Sequence, residues 1–240
     1  MFTNLNTDPA KKPRLLGLLG DRSHAKVSSS YFKYRKDTEI FGQAEPADYI
    51  YQVIEGAVRG HKLLSDGRRQ IGAFHLPGDI FGFENGEFHR FTAEAIVDTT
   101  LRLVKRQNLE REAKNDPAMV LKLLNITTDN LQHVENHLLL LGRQSARERV
   151  AAFLLEMNGR LKSAGAMVLP MTRRDIADYL GLTLETVSRA LSAYQRQGYL
   201  KVAGPMQRDI IVVNTAGLAE PPNFLFRHLA RRRGELGWPK

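Results

Sequence analysis

Three polar residues near position 185 have the types and spacing needed to hydrogen-bond the edges of DNA bases. On a helix, Glu185, Ser188 and Arg189 share one face, and Ser192 extends that face by one turn. Arginine can donate two hydrogen bonds to guanine O6 and N7, and glutamate can accept one from the cytosine amino group. The stripe therefore predicts base recognition in a major groove. The alternative is a surface ion pair between Glu185 and Arg189, which stabilises a helix only slightly.

The residues around this stripe predict two helices joined by a sharp turn. Thr172 can cap a first helix whose third residue is Asp175. Gly181 can supply the positive φ that the turn requires, and Thr183 can cap the second helix. Apolar residues form the buried faces: Ile176, Ala177 and Leu180 on the first helix, and Val187, Ala190, Leu191 and Tyr194 on the second. A surface ion pair does not explain this pattern, whereas a helix-turn-helix does.

Further residues are predicted to contact phosphates or other parts of the DNA. Arg173 and Arg174 lie in the first turn of the first helix, where they can fix the register on the duplex. A hairpin of strands 199–202 and 209–213 would form a wing beside the groove. Its residues Gln207 and Arg208 could contact phosphate or, as turn residues often are, be solvated. The predicted set is Thr172, Arg173, Arg174, Thr183, Leu184, Thr186, Ser192 and Arg208.

Two segments upstream in the sequence must position the predicted helix-turn-helix. From residue 31 to about residue 103, β-rich runs at 49–54, 57–64 and 70–76 alternate with turns rich in Gly, Asp and Ser, which predicts an antiparallel barrel or jelly roll. A long helix then begins after Asp116.

The apolar stripe of this long helix exceeds what one small barrel needs to cover its face. This length favours a homodimer, and the alternative is a helix packed only on its own barrel. The predicted interface is Val120, Leu123, Ile126, Leu131, Val134, Leu138 and Leu141. Residues 142–145 predict a hinge, and a further helix follows with Val150, Phe153, Leu154 and Met157 on its buried face.

The composition excludes several classes of protein. The chain has 240 residues, a formal net charge of +9 and no cysteine, so disulfides, thiolate metal sites and iron–sulfur clusters are excluded. The positive charge favours an anionic partner. No apolar run suits a signal peptide or a membrane span, so we expect a cytoplasmic protein without a membrane partner. The arginine-rich tail could contact phosphates or be solvated, and little fixed structure is expected beyond Asn214.

Enzymatic chemistry finds no support in the sequence. His61, His75 and His89 fall in the β-rich region, but no two have the close spacing of metal ligands, and no neighbouring carboxylate completes a triad. The chain also has no Gly-x-Ser-x-Gly motif and no phosphate-binding loop. We therefore expect no enzyme and no metal.

The same motifs resemble a known family. The runs RDIADYLG (174–181) and LTLETVSR (182–189) are similar to the helix-turn-helix of the Crp/Fnr superfamily. The runs LSDGRRQ (64–70) and FHLPGDIFGFE (74–84) resemble the sensor barrel of its FixK branch. The resemblance extends over most of residues 31–213, and the order of domains agrees.

The resemblance implies an α+β fold with a barrel, a dimerisation helix and a winged helix, and the residue pattern adds an arm and a tail, which gives five segments. These are an N-terminal arm (1–30), an antiparallel β-barrel of the cyclic-nucleotide-binding jelly-roll type (31–115), a long dimerisation helix (116–142), a winged helix-turn-helix (143–218) and a basic flexible tail (219–240). It implies a homodimer that binds double-stranded DNA at a TTGAT-N4-ATCAA-like palindrome through Glu185, Ser188 and Arg189. Such proteins recruit RNA polymerase to genes of low-oxygen respiration, denitrification or nitrogen fixation.

The sequence departs from the family where its members bind known signals. Phe83 replaces the glutamate that holds the ribose of cyclic AMP, and His89-Arg90 replaces the Arg-Ser pair on the phosphate. The cysteines of an iron–sulfur cluster are absent. We therefore expect no cofactor and a regulator that is active as made. The alternative is a ligand-gated regulator whose barrel binds an unidentified small molecule, with residues 77–84, Gly86 and Arg90 shaping the pocket.

Overall fold

The computed structural model describes residues 29–143, 145–161, 166–204 and 208–219. They form two compact units. Of the described residues, the first unit consists of 29–142 together with Pro170–Thr183, and the second consists of those within Arg143–Leu169 and 184–219. The two helices of the predicted helix-turn-helix therefore belong to different units. All of the predicted arm except its last two residues, and all of the predicted tail except Ala219, lie outside the described residues.

The first unit contains two four-stranded antiparallel sheets. One has the order β1-β8-β3-β6 and the other β2-β7-β4-β5. The strands are β1 Ser29–Tyr34, β2 Glu39–Phe41, β3 Tyr49–Glu55, β4 Val58–Leu63, β5 Arg69–His75, β6 Ile80–Phe81, β7 Thr92–Ala95 and β8 Thr99–Lys105. The predicted β-rich region is thereby confirmed, with each predicted run within one or two residues of a strand.

The two sheets pack face to face around one apolar core. Tyr51 and Leu101 of the first sheet and Phe41 and Val58 of the second belong to the same buried cluster. Among the described residues, no ladder of hydrogen bonds joins the sheets. Of the predicted barrel or jelly roll, the two-sheet jelly roll is therefore confirmed, and its sheets do not close into a true barrel. The physical reason lies at the edges, where β2 and β6 are only three and two residues long and end the ladders.

Three helices complete the first unit. They are α1 Arg106–Asn115, α2 Pro117–Arg143 and, later in the chain, α4 Arg173–Leu180. As predicted, α2 begins at Pro117, where the carboxylate of Asp116 accepts a hydrogen bond from the Ala118 amide at 2.9 Å. The outer face of the first sheet is covered by Leu109 of α1 and Met119 of α2.

The second unit contains the remaining elements. They are α3 Ala146–Arg160, β9 Ala166–Val168, α5 Leu184–Arg196, β10 Leu200–Ala203, β11 Asp209–Val212 and α6 Thr215–Ala219. Ser145 begins α3 with a capping box to Glu148, and the predicted buried face of α3 is confirmed. The wing is a three-stranded sheet of order β10-β11-β9, whose third strand was not predicted because three residues carry too little pattern.

The expectation of little structure beyond Asn214 is wrong for the first residues. Helix α6 begins immediately after Asn214, whose side-chain oxygen accepts a hydrogen bond from the Gly217 amide at 2.8 Å. Leu218 is buried. The short helix forms because this cap and the burial of Leu218 compensate for a sequence without helical periodicity.

Candidate nucleic-acid interface

Helix α5 has one buried face and one exposed polar face. Val187, Ala190, Leu191 and Tyr194 are all buried. Glu185, Arg189 and Ser192 are exposed on the other side of the helix, and Ser188 is half-buried at the edge of this face. The helix and its buried face are confirmed, and the predicted base-reading side chains are accessible.

Within the second unit, α5 is held on α3 by Tyr194. The Tyr194 hydroxyl donates a hydrogen bond of 2.8 Å to the carbonyl of Arg147, and the Arg147 guanidinium lies 5.2 Å from the centroid of the Tyr194 ring. Arg147 also donates to the side chain of Gln197 at 3.0 Å. Burial raises the pKa of Tyr194, so its hydroxyl remains a donor at all physiological pH values. These contacts fix the rotation of α5 about its axis.

Helix α4 and the turn after it follow the predicted local chemistry. The Thr172 hydroxyl accepts a hydrogen bond from the Asp175 amide, and the Asp175 carboxylate accepts one from the Thr172 amide, which completes the capping box. Gly181 ends α4 with φ 61° and ψ 41°, in the left-handed region. The Leu182 amide donates to the Ala177 carbonyl at 2.9 Å. The predicted cap and turn are confirmed.

The other predicted DNA contacts differ in accessibility. Arg174, Thr183 and Ser192 are exposed. Arg173 is half-buried, and burial lowers the pKa of its guanidinium. The remaining predicted positions are also half-buried: Thr172, Leu184, Thr186 and Arg208. Gln207 lies outside the described residues. The phosphate-contacting role of the whole set remains a prediction.

The predicted interface residues of α2 fall into two groups. Leu123 and Ile126 are partly buried and pack against the cluster on the outer face of the first sheet. Leu141 is half-buried. The others are largely exposed: Val120 at 48%, Leu131 at 56%, Val134 at 59% and Leu138 at 68%. Leu121, Leu124 and Leu139 are comparably exposed. A long apolar face of α2 is therefore not covered by the described part of the chain.

One cluster in the first unit was not predicted from the sequence. The Asp175 carboxylate, only 2% exposed, is bound by Arg59 of β4 at 3.0 Å and by Arg69 of β5 at 2.6 Å. Arg69 also pairs with Asp178 at 2.7 Å, and Arg59 pairs with Glu94 at 2.7 Å. No sequence signal connects these groups, because more than a hundred residues separate the arginines from α4.

The residues at the family's nucleotide site do not fit a cyclic nucleotide. Phe83 packs against the apolar cluster beneath α2, where a ribose hydroxyl would need an acceptor. His89 is buried, and its ring stacks on Phe41 at 3.5 Å between centroids. Arg90, the cation at the position of the phosphate-binding pair, is bound by Glu84 at 2.8 Å.

The three histidines of the β-rich region have separate surroundings. His61 lies 4.0 Å from Glu94, His75 stacks on Phe81, and His89 stacks on Phe41. Within the described ranges, no group of three or more histidine, aspartate or glutamate side chains is arranged to hold a metal ion. No helix in the same part of the chain is long and apolar enough to cross a membrane.

A two-sheet domain of this topology followed by a winged helix-turn-helix defines a DNA-binding transcription regulator. The family comparisons agree. Residues 31–116 match the cyclic nucleotide-binding domain, and residues 148–220 match the Crp-like helix-turn-helix domain.

The chain has curated relatives and solved structural neighbours. It is 44% identical over 190 residues to the nitrogen fixation regulation protein FixK of Azorhizobium caulinodans, covering 77% of this chain and 76% of the relative. It is 40% identical over 189 residues to the transcriptional activatory protein AadR of Rhodopseudomonas palustris, covering 76% and 79%. The structure of FixK2 from Bradyrhizobium japonicum matches with a TM-score of 0.77 and 60% identity, covering 80% of this chain and 96% of that one.

The chain therefore belongs to the Crp/Fnr superfamily, in its FixK-like branch. The resemblance read from the motifs is confirmed, and so is the prediction of a regulator rather than an enzyme, because the relatives are transcription regulators.

Proposed function

We propose that the protein binds a TTGAT-N4-ATCAA-like palindrome as a homodimer, through Glu185, Ser188 and Arg189, and activates transcription by recruiting RNA polymerase. The observation that carries this proposal is the exposed polar face of α5, opposite a fully buried one. A helix held in this way presents a fixed set of donors and acceptors to a major groove. The carboxylate, hydroxyl and guanidinium groups together can distinguish one base pair from another. A contact to phosphate cannot make that distinction.

The dimer is supported by the uncovered apolar face of α2. Four predicted interface residues are about half exposed or more, and they recur along much of a 27-residue helix. A face of this length costs solvation free energy unless another surface covers it. A second copy related by two-fold symmetry would bury it and would place two α5 helices on the two halves of a palindrome. The five segments given by the sequence are our proposal for the domain boundaries of this dimer.

The names of the relatives support the proposed physiological role. One is a nitrogen fixation regulation protein and another a transcriptional activatory protein. We propose activation of genes for low-oxygen respiration, denitrification or nitrogen fixation, in the cytoplasm, where DNA and RNA polymerase are found. Because the residues at the nucleotide site do not fit cyclic AMP, we propose that DNA binding needs no such ligand.

The first test is fluorescence anisotropy at fixed salt on a duplex carrying TTGAT-N4-ATCAA and on a scrambled duplex. Selective binding without added ligand is expected. Arg189→Ala should weaken specific binding by about 1–3 kcal/mol, and Arg174→Ala should weaken binding to both duplexes. Arg196→Ala is the matched control, because it removes one positive charge from an exposed position of the same helix. Equal losses on both duplexes for Arg189→Ala would contradict base reading.

A ligand-gated regulator is the second candidate, and one cavity favours it. A cavity of about 580 Å³ opens on the first sheet, within the size range of small-molecule sites. Its lining is Ser30, Phe32, Tyr34, Ile40, Tyr49, Tyr51, Leu103, Lys105 and Asn108. It differs from the pocket predicted at residues 77–84. Isothermal titration with cyclic nucleotides and aromatic carboxylates distinguishes the candidates, since ligand-dependent DNA selectivity would replace the ligand-free proposal.

A further inference from the structure

The acidic face of α4 is bound by side chains of the second sheet, all within the first unit. Two arginines from neighbouring strands converge on Asp175 Oδ1, while Oδ2 of the same carboxylate accepts the hydrogen bonds of the Thr172 cap. Arg69 in addition contacts Asp178 through its Nε and Nη2 atoms, at 2.9 and 2.7 Å. One carboxylate thus both begins α4 and attaches it to the sheet.

Further contacts fix α4 against rotation. The Gln70 side chain donates a hydrogen bond of 2.8 Å to the backbone carbonyl of Asp178. The Tyr179 ring is buried between Phe74 of β5, at 5.1 Å between ring centroids, and His137 of α2, at 4.0 Å. Polar and aromatic groups therefore hold the same face of the helix, from two sides. We call the contacts of Arg59 and Arg69 with Asp175 and Asp178 the α4 clamp.

The clamp is protected from water, which makes its loss costly. The side chains of Arg59, Arg69, Asp175 and Asp178 are 11%, 23%, 2% and 18% exposed. Burial by itself would raise the pKa of Asp175, but the hydrogen bonds from Thr172 and the charges of Arg59 and Arg69 lower it overall. Asp175 is thus ionised near neutral pH. Removing one partner would leave a buried charge uncompensated, which destabilises far more than loss of a surface pair.

We propose that Arg59 and Arg69 are positioning residues for DNA recognition, which act by holding α4, the first helix of the helix-turn-helix, on the sheet. This inference rests on the proposed function. Glu185 and Arg189 of α5 are exposed in this structure, in which the clamp is formed. A ligand-free regulator needs its binding-competent conformation to be populated without a signal. The clamp favours that conformation. The apparent affinity for DNA is proportional to the fraction of molecules in the competent conformation, so losing the clamp should lower it.

The test compares two adjacent arginines. Arg69→Met removes a clamp residue, whereas Arg68→Met removes the same charge from a neighbour that is 78% exposed and pairs only locally with Asp66. On the TTGAT-N4-ATCAA duplex, Arg69→Met should bind about tenfold more weakly than Arg68→Met, and Arg69→Lys should recover part of the loss. On scrambled DNA, the two methionine variants should bind equally. Hydrogen exchange should show faster exchange of the α4 amides only in Arg69→Met.

Each outcome decides the proposal. Equal specific affinity and equal α4 exchange in the two methionine variants would overturn it. Tighter DNA binding by Arg69→Met would also overturn it, since the clamp would then hold an inhibited state. If the wild-type protein does not select the duplex, the half-site assignment fails. The exchange of α4 amides still decides whether the clamp holds the helix.

Discussion

The environment of His137 makes the stability of the first unit dependent on pH. Its ring is half-buried and stacks on Tyr179 of α4, with 24° between the ring planes. Burial, with a smaller contribution from the nearby His133, lowers the pKa of His137 to about 4. An unfolded histidine titrates near pH 6.5. The unfolded chain thus binds a proton that the folded chain excludes at intermediate pH.

The sign and size of the effect follow from proton linkage. Because the folded-state pKa is depressed, the stabilisation is fully present above about pH 6.5 and is lost as the pH falls towards about 4. For those two pKa values, lowering the pH from about 7.5 to about 5.0 removes roughly 2 kcal/mol of unfolding free energy. The loss is smaller to the extent that water reaches the ring.

The assay is urea unfolding followed by circular dichroism at these two pH values, for wild type and for His137→Phe. Phenylalanine preserves the stacking on Tyr179 but cannot take up a proton. The variant should therefore lose less than wild type on acidification, by at most about 2 kcal/mol. His133→Gln, which removes only the smaller contribution to the lowered pKa of His137, should change the pH dependence far less than His137→Phe. An identical pH dependence in wild type and His137→Phe would refute the reasoning.

Three other substitutions test separate parts of the structure. Gly181→Ala should destabilise the protein by about 1 kcal/mol in urea unfolding, because the φ of 61° at this position disfavours any residue with a Cβ. Unchanged stability would contradict this turn geometry. Tyr194→Phe should cost about 1 kcal/mol by losing the hydrogen bond to the Arg147 carbonyl, and no loss would show that water replaces it. Leu138→Glu should convert a dimer to a monomer in sedimentation velocity; an unchanged sedimentation coefficient would place the interface elsewhere.

Much of the candidate site could be predicted because its signals are local in sequence. Apolar residues at helical spacing predict the buried face of α5. The exposed stripe then consists of the positions on the opposite side of the helix. The cap of α4 links residues three apart, and Gly181 marks the turn by its backbone freedom.

In the long helix α2, sequence periodicity alone does not determine which surface each apolar residue contacts. Leu123 and Leu138 belong to one apolar stripe, and both were predicted at a dimer interface. In the structure, Leu123 packs on the sheet of its own chain, while Leu138 is 68% exposed. Periodicity gives the face of a helix but does not say which surface covers it.

The sequence by itself determined the helix-turn-helix, the strand-rich region, the long helix and the departures from a nucleotide site, because each depends on neighbouring residues or on residue type. Only the tertiary structure decided that the sheets stay open and that Arg59 and Arg69 bind the carboxylates of α4. Those contacts join residues 106 to 116 positions apart, and such pairings depend on how distant strands and helices pack. A charged residue on a strand has no sequence signal that names its partner.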